Sequence, residues 1–299
     1  MGTRDLFKIV PKEEYLLPGN PSCPGCPASL GLRYVLKALD GKAILVIPAC
    51  CTSIIIGPYP HSSVKVPVLN MAFAAAAAAA TGISEALELR GINDVHVVVW
   101  AGDGGTSDIG LQALSGAAER GNNIIYICYD NEAYMNTGIQ RSGLTPYGAW
   151  TTTTIKGKRE LKKDMPMIVA MHKVPYVATA SVGFPLDLYQ KVKKASRYRG
   201  FKYIHLLAPC PYGWRFPADK TVEVAKLAVK TGMWPLYEIE EGRFRLTGPS
   251  SSLIDPSRRL PVIEYLKVQG RFRHLSEKDV RDIQRFVDEM WRRIEELIK

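Results

Sequence analysis

The positions of hydrophobic residues along the chain predict a parallel sheet whose strands alternate with helices. Short uninterrupted runs of β-branched and aromatic residues are typical of strands that are buried on both faces. Such runs occupy residues 43–47, 95–101, 124–129, 176–182 and 203–208. Helical spacing of apolar residues is found at residues 28–39, 74–89, 109–120, 167–172, 185–195 and 219–231. Because strands joined by helices run parallel, we expect an α/β fold with a mostly parallel central sheet flanked by helices.

The alternation of strands and helices stops towards the end of the chain. Residues 234–239 and 243–246 predict a β-hairpin. Residues 276–299 predict a terminal helix that begins at the N-cap Ser276 and carries Asp279 three positions later. We therefore divide the chain into a main domain and a C-terminal extension, at residues 1–240 and 241–299.

Polar residues and glycines follow two neighbouring strands at their carboxyl ends. Gly102-Asp103-Gly104-Gly105 follows one strand, and Asp130-Asn131-Glu132 follows the next. Ligands bind at the carboxyl ends of parallel strands, so we expect Asp103 and Asn131 on the same rim of the sheet. A carboxylate and an amide oxygen suit Mg²⁺, which completes its shell with phosphate oxygens and water. The glycines would let the backbone approach a phosphate, although Asp103 alone could equally close an ordinary turn.

The six cysteines suggest a second kind of site. Cys23 and Cys26 form a CxxC motif, whereas Cys51 and Cys210 follow predicted strands further along the chain. Zinc, a [4Fe–4S] cluster and free thiols are all compatible with this spacing. Cys128 lies inside a predicted strand, where we expect a buried structural thiol.

Composition and charge exclude several classes of protein. The 299 residues carry a formal net charge of +10, but the basic residues are scattered among acidic ones and match no nucleic-acid-binding motif. No apolar run reaches the roughly 18 residues that a membrane helix needs. The N-terminal stretch has no apolar core of a signal peptide. We therefore expect a cytoplasmic protein whose partners include neither nucleic acid nor a membrane, and polar residues 138–165 to form a long functional loop.

Several of these motifs together resemble one known family. Gly-Asp-Gly followed by an asparagine turn resembles the thiamine diphosphate motif. The sequence YDNEAYMNTGIQRSG at residues 129–143, followed by TPYGAWTTTT at residues 145–154, is similar to the β subunit of pyruvate:ferredoxin oxidoreductases and their 2-oxoacid relatives. Cys-Pro-Gly-Cys at residues 23–26 and Pro-Cys-Pro-Tyr-Gly-Trp at residues 209–214 resemble that family's cysteine motifs. The chain is thereby identified as a member of the 2-oxoacid:ferredoxin oxidoreductase family.

The resemblance implies three cofactors in residues 1–240 and a thiamine diphosphate-binding fold. These cofactors are thiamine diphosphate, Mg²⁺ and a [4Fe–4S] cluster. Mg²⁺ would be held by Asp103, Asn131 and the backbone carbonyl of Ala133. The residues expected to line the diphosphate are Gly102, Gly104 and Gly105.

The resemblance also assigns roles to residues around the reacting atoms. Asn136 and Thr137 would face the thiazolium ring and the substrate, and Thr52 and Ser53 would contact the cofactor. The cluster ligands would be Cys23, Cys26, Cys51 and Cys210. Cys50 competes with Cys51 for the third ligand position, and the family's spacing favours Cys51. We expect Asp108 to cap the following helix rather than to take part in catalysis.

The implied reaction is the oxidative decarboxylation of a 2-oxoacid, with pyruvate as the first choice. Coenzyme A captures the acyl group, and ferredoxin accepts the electrons. Branched-chain 2-oxoacids, 2-oxoglutarate and oxalate are alternative substrates. A thiamine-dependent decarboxylase or synthase subunit without redox chemistry, and a metal-binding scaffold without activity, are the other hypotheses.

The resemblance also predicts partner subunits. The glutamate that activates thiamine is absent from the position where the family places it, so an α subunit would supply it. A ferredoxin-like δ subunit would carry further clusters, and a γ subunit or domain would complete the assembly. We therefore expect the chain to be inactive alone.

Overall fold

An eight-stranded sheet forms the centre of the computed structural model, which describes residues 9–298. Along the chain the strands are β1 (Ala43–Pro48), β2 (Val68–Met71), β3 (His96–Gly102), β4 (Ile124–Asp130), β5 (Tyr176–Ser181), β6 (Lys202–Leu207), β7 (Tyr237–Glu240) and β8 (Arg243–Leu246). Their order across the sheet is β2-β1-β3-β4-β6-β5-β7-β8. Neighbours from β2 to β5 are parallel, whereas β7 and β8 add an antiparallel edge. The predicted α/β fold with a mostly parallel sheet is confirmed.

Helices cover both faces of this sheet. They are α1 (Pro27–Ala38), α2 (Cys51–Ile56), α3 (Ala76–Leu89), α4 (Asp103–Ser107), α5 (Leu111–Glu119), α6 (Met165–Ala170), α7 (Pro185–Ala195), α8 (Pro211–Trp214), α9 (Thr221–Lys230), α10 (Ile263–Leu266) and α11 (Glu277–Ile298). Successive strand residues point to opposite faces, so β3 contributes Val97 and Val99 to one hydrophobic cluster, and Val98 and Trp100 to the other. The core is therefore two apolar layers separated by the sheet.

Most of the predicted strands and helices are observed, but β2 and the short helices α2, α8 and α10 lie outside the predicted elements. No pattern predicts β2, because this edge strand pairs only with β1 and presents a polar Asn70 instead of a hydrophobic run. Nor does the sequence predict α2, whose Ser and Ile residues have modest helix propensity. Gly102–Gly105 was expected to be a turn, but Asp103 begins the short helix α4 directly after β3. Packing around these segments, not propensity, determines their structure.

The predicted C-terminal elements are present, and α11 packs against the rest of the chain. Ser276 and Asp279 form the predicted reciprocal cap, since the Ser276 hydroxyl donates to Asp279 Oδ2 over 2.6 Å and accepts from the Asp279 N–H over 3.2 Å. Ile283 and Trp291 of α11 belong to the hydrophobic cluster that contains Val97 and Val99, on one face of the sheet. The division of the chain at residue 240 stays a prediction. None of the helices within residues 9–298 is long and apolar enough to span a membrane.

Candidate functional site

A cavity of about 200 Å³ lies at the carboxyl ends of β1, β3 and β4. Gly102, the last residue of β3, is paired in register with Tyr129, the second-last residue of β4, so the segments that follow these strands begin side by side. The cavity is lined by Ala49, Cys50, Cys51, Phe73, Gly102, Asp103, Gly104, Gly105, Tyr129, Asn131, Ala133, Tyr134, Met135, Asn136 and Thr137. The structure thus brings the predicted magnesium, diphosphate and substrate residues together with one of the predicted cluster cysteines.

Three oxygen atoms converge at one wall of this cavity. The amide oxygen position of Asn131 lies 3.0 Å from Asp103 Oδ1 and 2.8 Å from the carbonyl oxygen of Ala133. In an octahedral magnesium shell with bonds of about 2.0–2.1 Å, adjacent ligand oxygens are about 2.9 Å apart. The donor set and its spacing therefore fit a small divalent cation. The reversed amide, with its NH₂ group towards the same two oxygens, would instead satisfy them by hydrogen bonds.

Asp103 is almost fully buried and is contacted by the segment 138–165, which the sequence predicts to be a long functional loop. The hydroxyl of Ser142 donates to Asp103 Oδ2, which leaves Oδ1 directed towards Asn131. Burial raises the pKa of Asp103 well above its ordinary value, and the nearby carboxylate of Asp130 raises it further. A bound cation would counter both effects by stabilising the charged form.

The backbone between Asn131 and Ala133 is stabilised by ion pairs of buried side chains. Glu132 adopts a left-handed conformation, with φ of 63°. Its side chain contacts Lys162 Nζ at 3.0 Å and Arg271 Nη2 at 2.6 Å. Lys162 also contacts Asp130 Oδ2 at 2.9 Å, so opposite charges pair on both sides of Asn131. Thr145 donates its hydroxyl to the carbonyl of Glu132 over 2.7 Å. The segment 130–133, hereafter the metal loop, is thus fixed by contacts distant in sequence.

The metal loop also separates the site from a second, larger cavity. This cavity has a volume of about 700 Å³ and lies between α11 and the sheet. Glu132, Lys162 and His205 are among its polar lining residues, and most of the other lining residues are aromatic or aliphatic. Nε2 of His205 lies 2.9 Å from Asp130 Oδ2, which extends the same polar network.

The expected capping role of Asp108 is wrong. Helix α5 begins at Leu111, its N-cap is Gly110, and no side chain caps it. The carboxylate of Asp108 instead accepts from the Gly143 N–H over 2.9 Å and from Lys163 Nζ over 3.0 Å. It also accepts from the Tyr134 hydroxyl over 2.8 Å. The sequence could not show this role, because all three donors come from segments far along the chain.

The glycines of the Gly-Asp-Gly motif make room for aromatic rings as well as for a ligand. A Cβ atom on Gly104 would lie 2.2 Å from Cε1 of Tyr134, which is closer than any real contact. A Cβ on Gly105 would lie 3.1 Å from the ring of Phe73. Glycine at position 104 is therefore required by the close approach of Tyr134.

Thr52 and Ser53 do not line the cavity, so their predicted contact with the cofactor is without support here. Thr52 is buried, and its Oγ1 accepts from Trp100 Nε1 over 3.0 Å. Ser53 donates its hydroxyl to the carbonyl of Pro48 over 3.3 Å. Asn136 and Thr137 do line the cavity.

The four predicted cluster cysteines come from three chain segments, and the thiols of Cys23, Cys26 and Cys210 lie within electrostatic range of Cys51. Burial, together with the neighbouring thiols of Cys210, Cys50, Cys26 and Cys23, raises the pKa of Cys51 to about 12. Burial also raises the pKa of Cys210 to about 11, while the backbone N–H groups of Gly213 and Tyr212 oppose the shift. Binding of a metal centre would require these thiols to lose their protons.

The loop that carries the CxxC motif is anchored beside the Cys210 segment. The hydroxyl of Thr221 donates to the carbonyl of Gly25 over 2.7 Å, and a Cβ on Gly25 would lie 2.2 Å from the carbonyl oxygen of Ala218. Cys50 lines the cavity with Cys51, and the choice between them stays a prediction. Cys128 is fully buried in β4, as expected. Within residues 9–298, no three His, Cys, Asp or Glu side chains are already arranged at metal-binding distances from one another.

Comparison with known proteins yields consistent matches. The family model described as thiamine pyrophosphate enzyme, C-terminal TPP binding domain, matches residues 52–206. The chain is 54% identical over 284 residues to the pyruvate synthase subunit PorB of Methanothermobacter thermautotrophicus, which covers 93% of this chain and 96% of that protein. It is 50% identical over 298 residues to the ketoisovalerate oxidoreductase subunit VorB of Pyrococcus horikoshii, which covers 96% of this chain and 94% of that protein.

A solved structure supports the same fold. The 2-oxoglutarate:ferredoxin oxidoreductase from Magnetococcus marinus matches with a TM-score of 0.59 and 24% identity, over 73% of this chain and 80% of that chain. This match therefore supports the architecture described above.

Proposed function

Because the chain belongs to the thiamine diphosphate-dependent 2-oxoacid:ferredoxin oxidoreductases, as their β-type subunit, we propose that it serves a cytoplasmic complex that oxidatively decarboxylates pyruvate. Coenzyme A would receive the acyl group, and ferredoxin would receive the electrons. The observation that carries this proposal is a single cavity that combines the oxygens of Asp103, Asn131 and Ala133 with Cys51.

The residues that follow β3 and β4 would bind and orient the cofactor. Asp103, Asn131 and the Ala133 carbonyl would hold Mg²⁺ to the diphosphate, and Gly102, Gly104 and Gly105 would line the diphosphate. Thiamine diphosphate supplies the nucleophilic carbon and the electron sink that decarboxylation needs. Asn136 and Thr137, at the cavity wall, would face the substrate and orient its carboxylate.

The cysteines would provide the electron acceptor beside that site. Cys23, Cys26, Cys51 and Cys210 would hold a [4Fe–4S] cluster, which takes four thiolates. Cys51 lines the cavity and lies within electrostatic range of the other three thiols, so a cluster there would adjoin the thiamine site. Adjacent placement supports direct electron transfer from the reacting centre to the cluster.

The remaining components would come from other subunits. An α subunit would contribute the glutamate that activates thiamine, as the family resemblance implies. A δ subunit with ferredoxin-like clusters and a γ subunit would complete the route to ferredoxin. The chain alone would therefore bind cofactors without turning over substrate.

The second candidate substrate is a branched-chain 2-oxoacid. It is favoured by the 50% identity to a ketoisovalerate oxidoreductase subunit, which is close to the 54% identity to a pyruvate synthase subunit. We give pyruvate the preference on that higher identity. Walls of the substrate pocket that belong to a partner subunit would also contribute to the choice.

Anaerobic assay of the purified complex against pyruvate, ketoisovalerate, 2-oxoglutarate and oxalate, with coenzyme A and ferredoxin, tests the proposal. We expect the highest kcat/KM with pyruvate and absorbance near 400 nm from the cluster. Asp103→Ala should abolish retention of thiamine diphosphate without loss of fold, whereas Asp94→Ala, at an exposed position, should retain it. Stoichiometric zinc without iron, or unchanged cofactor affinity in Asp103→Ala, would overturn the assignment.

A further inference from the structure

Trp214 connects the segment of Cys210 with the metal loop by a direct hydrogen bond. Its indole Nε1 donates to the backbone carbonyl of Asn131 over 2.7 Å. The side chain of Trp214 is fully buried. The acceptor therefore belongs to the residue whose amide faces Asp103.

The same tryptophan is one helical turn away from Cys210. Cys210 is the N-cap of α8, which ends at Trp214, and the Trp214 N–H donates to the Cys210 carbonyl over 2.9 Å. Only one turn of hydrogen-bonded backbone thus separates the cysteine from the indole. A shift of the cysteine segment would be passed to the metal loop through this short path.

Arg271 contacts both Trp214 and the metal loop. Its guanidinium lies 3.6 Å from the centroid of the Trp214 ring, in stacking geometry. Its Nη2 donates to Glu132 Oε2 over 2.6 Å, and its Nε donates to Gln269 Oε1 over 2.9 Å. Arg271 is also buried, so these contacts are shielded from water. Trp214 and Arg271 therefore form hydrogen bonds with adjacent residues of the metal loop, Asn131 and Glu132.

We propose that Trp214 and Arg271 form a brace that fixes the metal loop relative to the Cys210 segment and so sets the affinity of the magnesium–thiamine diphosphate site. Both are positioning residues, since they contact the metal loop and not the reacting atoms. The inference rests on the proposed function for the identity of the cofactor. The brace itself is defined by the hydrogen bond to the Asn131 carbonyl and the ion pair with Glu132.

Buried tryptophans elsewhere in the chain provide a matched control. Trp291 is also fully buried and donates its Nε1 to a backbone carbonyl, that of Gly232, over 2.9 Å. That bond joins α11 to the residues after α9, away from the cavity lining. Trp291→Phe therefore removes the same kind of bond from the core without touching the metal loop.

The test compares Trp214→Phe and Trp291→Phe in the whole complex by calorimetric titration of Mg²⁺ at saturating thiamine diphosphate. Loss of an outer partner of a metal ligand typically weakens metal affinity by about 10- to 100-fold. We expect about a tenfold increase in Kd for Mg²⁺ in Trp214→Phe and less than a twofold change in Trp291→Phe, with the same Tm in the two variants. Equal Kd values in both variants would overturn the brace.

A second variant keeps the proposal testable if Trp214→Phe does not fold. Arg271→Lys retains the positive charge but loses the planar group that stacks on Trp214 and pairs with Glu132. We expect a several-fold weaker Mg²⁺ affinity in this variant, and wild-type affinity would contradict the proposal. If the wild-type complex itself does not bind magnesium and thiamine diphosphate, the proposed function fails, whereas wild-type binding with unaffected variants refutes the brace alone.

Discussion

The hydroxyl of Ser142 donates a hydrogen bond to Oδ2 of Asp103, 39 positions earlier in the chain. Both side chains are buried, so this contact fixes which carboxylate oxygen faces Asn131. A ligand that is already oriented loses less rotational freedom when it binds an ion. Ser142 thus supports the site without being one of its ligands.

Ser142→Ala should weaken binding of Mg²⁺ with thiamine diphosphate by about 10-fold, as for other outer partners of metal ligands. The reason is that Asp103 becomes free to rotate, and its buried Oδ2 loses a donor. Calorimetric titration of the purified complex measures the effect. Ser250→Ala is the matched control, since Ser250 is equally buried but accepts from the Leu236 N–H over 2.8 Å at a distance from the cavity. Similar affinities in both variants would refute the role of Ser142.

Cys51→Ser and Cys50→Ser should differ in iron content. Both residues line the cavity, but four thiolates suffice for a cluster and the family's spacing favours Cys51. We expect Cys51→Ser to lose most of the iron and the absorbance near 400 nm, and Cys50→Ser to retain both. Each variant is the control for the other, because the substitutions are identical and adjacent. Iron loss in Cys50→Ser alone would exchange the two assignments.

The sequence predicted the fold and the rim of the site because those features depend on local patterns. β3 and β4 are continuous buried runs, and the residues after them, Asp103 and Asn131, meet because parallel neighbours end together. The supports of the site could not be predicted in this way. Ser142 and Arg271 reach the metal loop from distant segments, and nothing in their own sequence neighbourhoods indicates which carboxylate they contact. The role of Asp108 was mispredicted for the same reason, since its donors are not local.

Gly104→Ala should weaken cofactor binding and lower Tm. The new methyl group would meet the Tyr134 ring at 2.2 Å, so the ring must move and break its hydrogen bond to Asp108. Overpacking of this kind typically costs about 1–3 kcal/mol. Thermal unfolding and cofactor titration of the complex measure the two effects.

Gly82→Ala is the control, because the same substitution should there raise Tm instead of lowering it. Gly82 lies within α3, and nothing lies within 4 Å of a Cβ placed there. Alanine in a helix interior is about 0.5–1 kcal/mol more favourable than glycine, so we expect unchanged cofactor affinity and a higher Tm. A lower Tm in Gly82→Ala, or an unchanged Tm in Gly104→Ala, would contradict the steric argument.

Lys202 should make stability depend on pH. It begins β6, its side chain is buried, and its Nζ donates to Asn123 Oδ1. Burial lowers the pKa of Lys202 from 10.5 to about 7. His96 lies nearby, and its pKa is lowered by burial and then by the charges of Lys202 and Lys42. Burial of Lys202 is therefore unfavourable when its side chain is protonated.

The sign of the effect follows from which state holds the proton. Between about pH 7 and pH 10.5 the unfolded chain binds a proton at Lys202 that the folded protein lacks, so stability rises with pH across this window. Lys202→Met removes the buried charge and should raise the free energy of unfolding by about 2 kcal/mol or more at pH 6, with the gain shrinking towards pH 10. Lys226→Met, at an exposed position of α9, should show no such trend. Denaturant titrations at pH 6, 8 and 10 measure this, and a gain that grows with pH would show that Lys202 is not stabilised in its neutral form by burial.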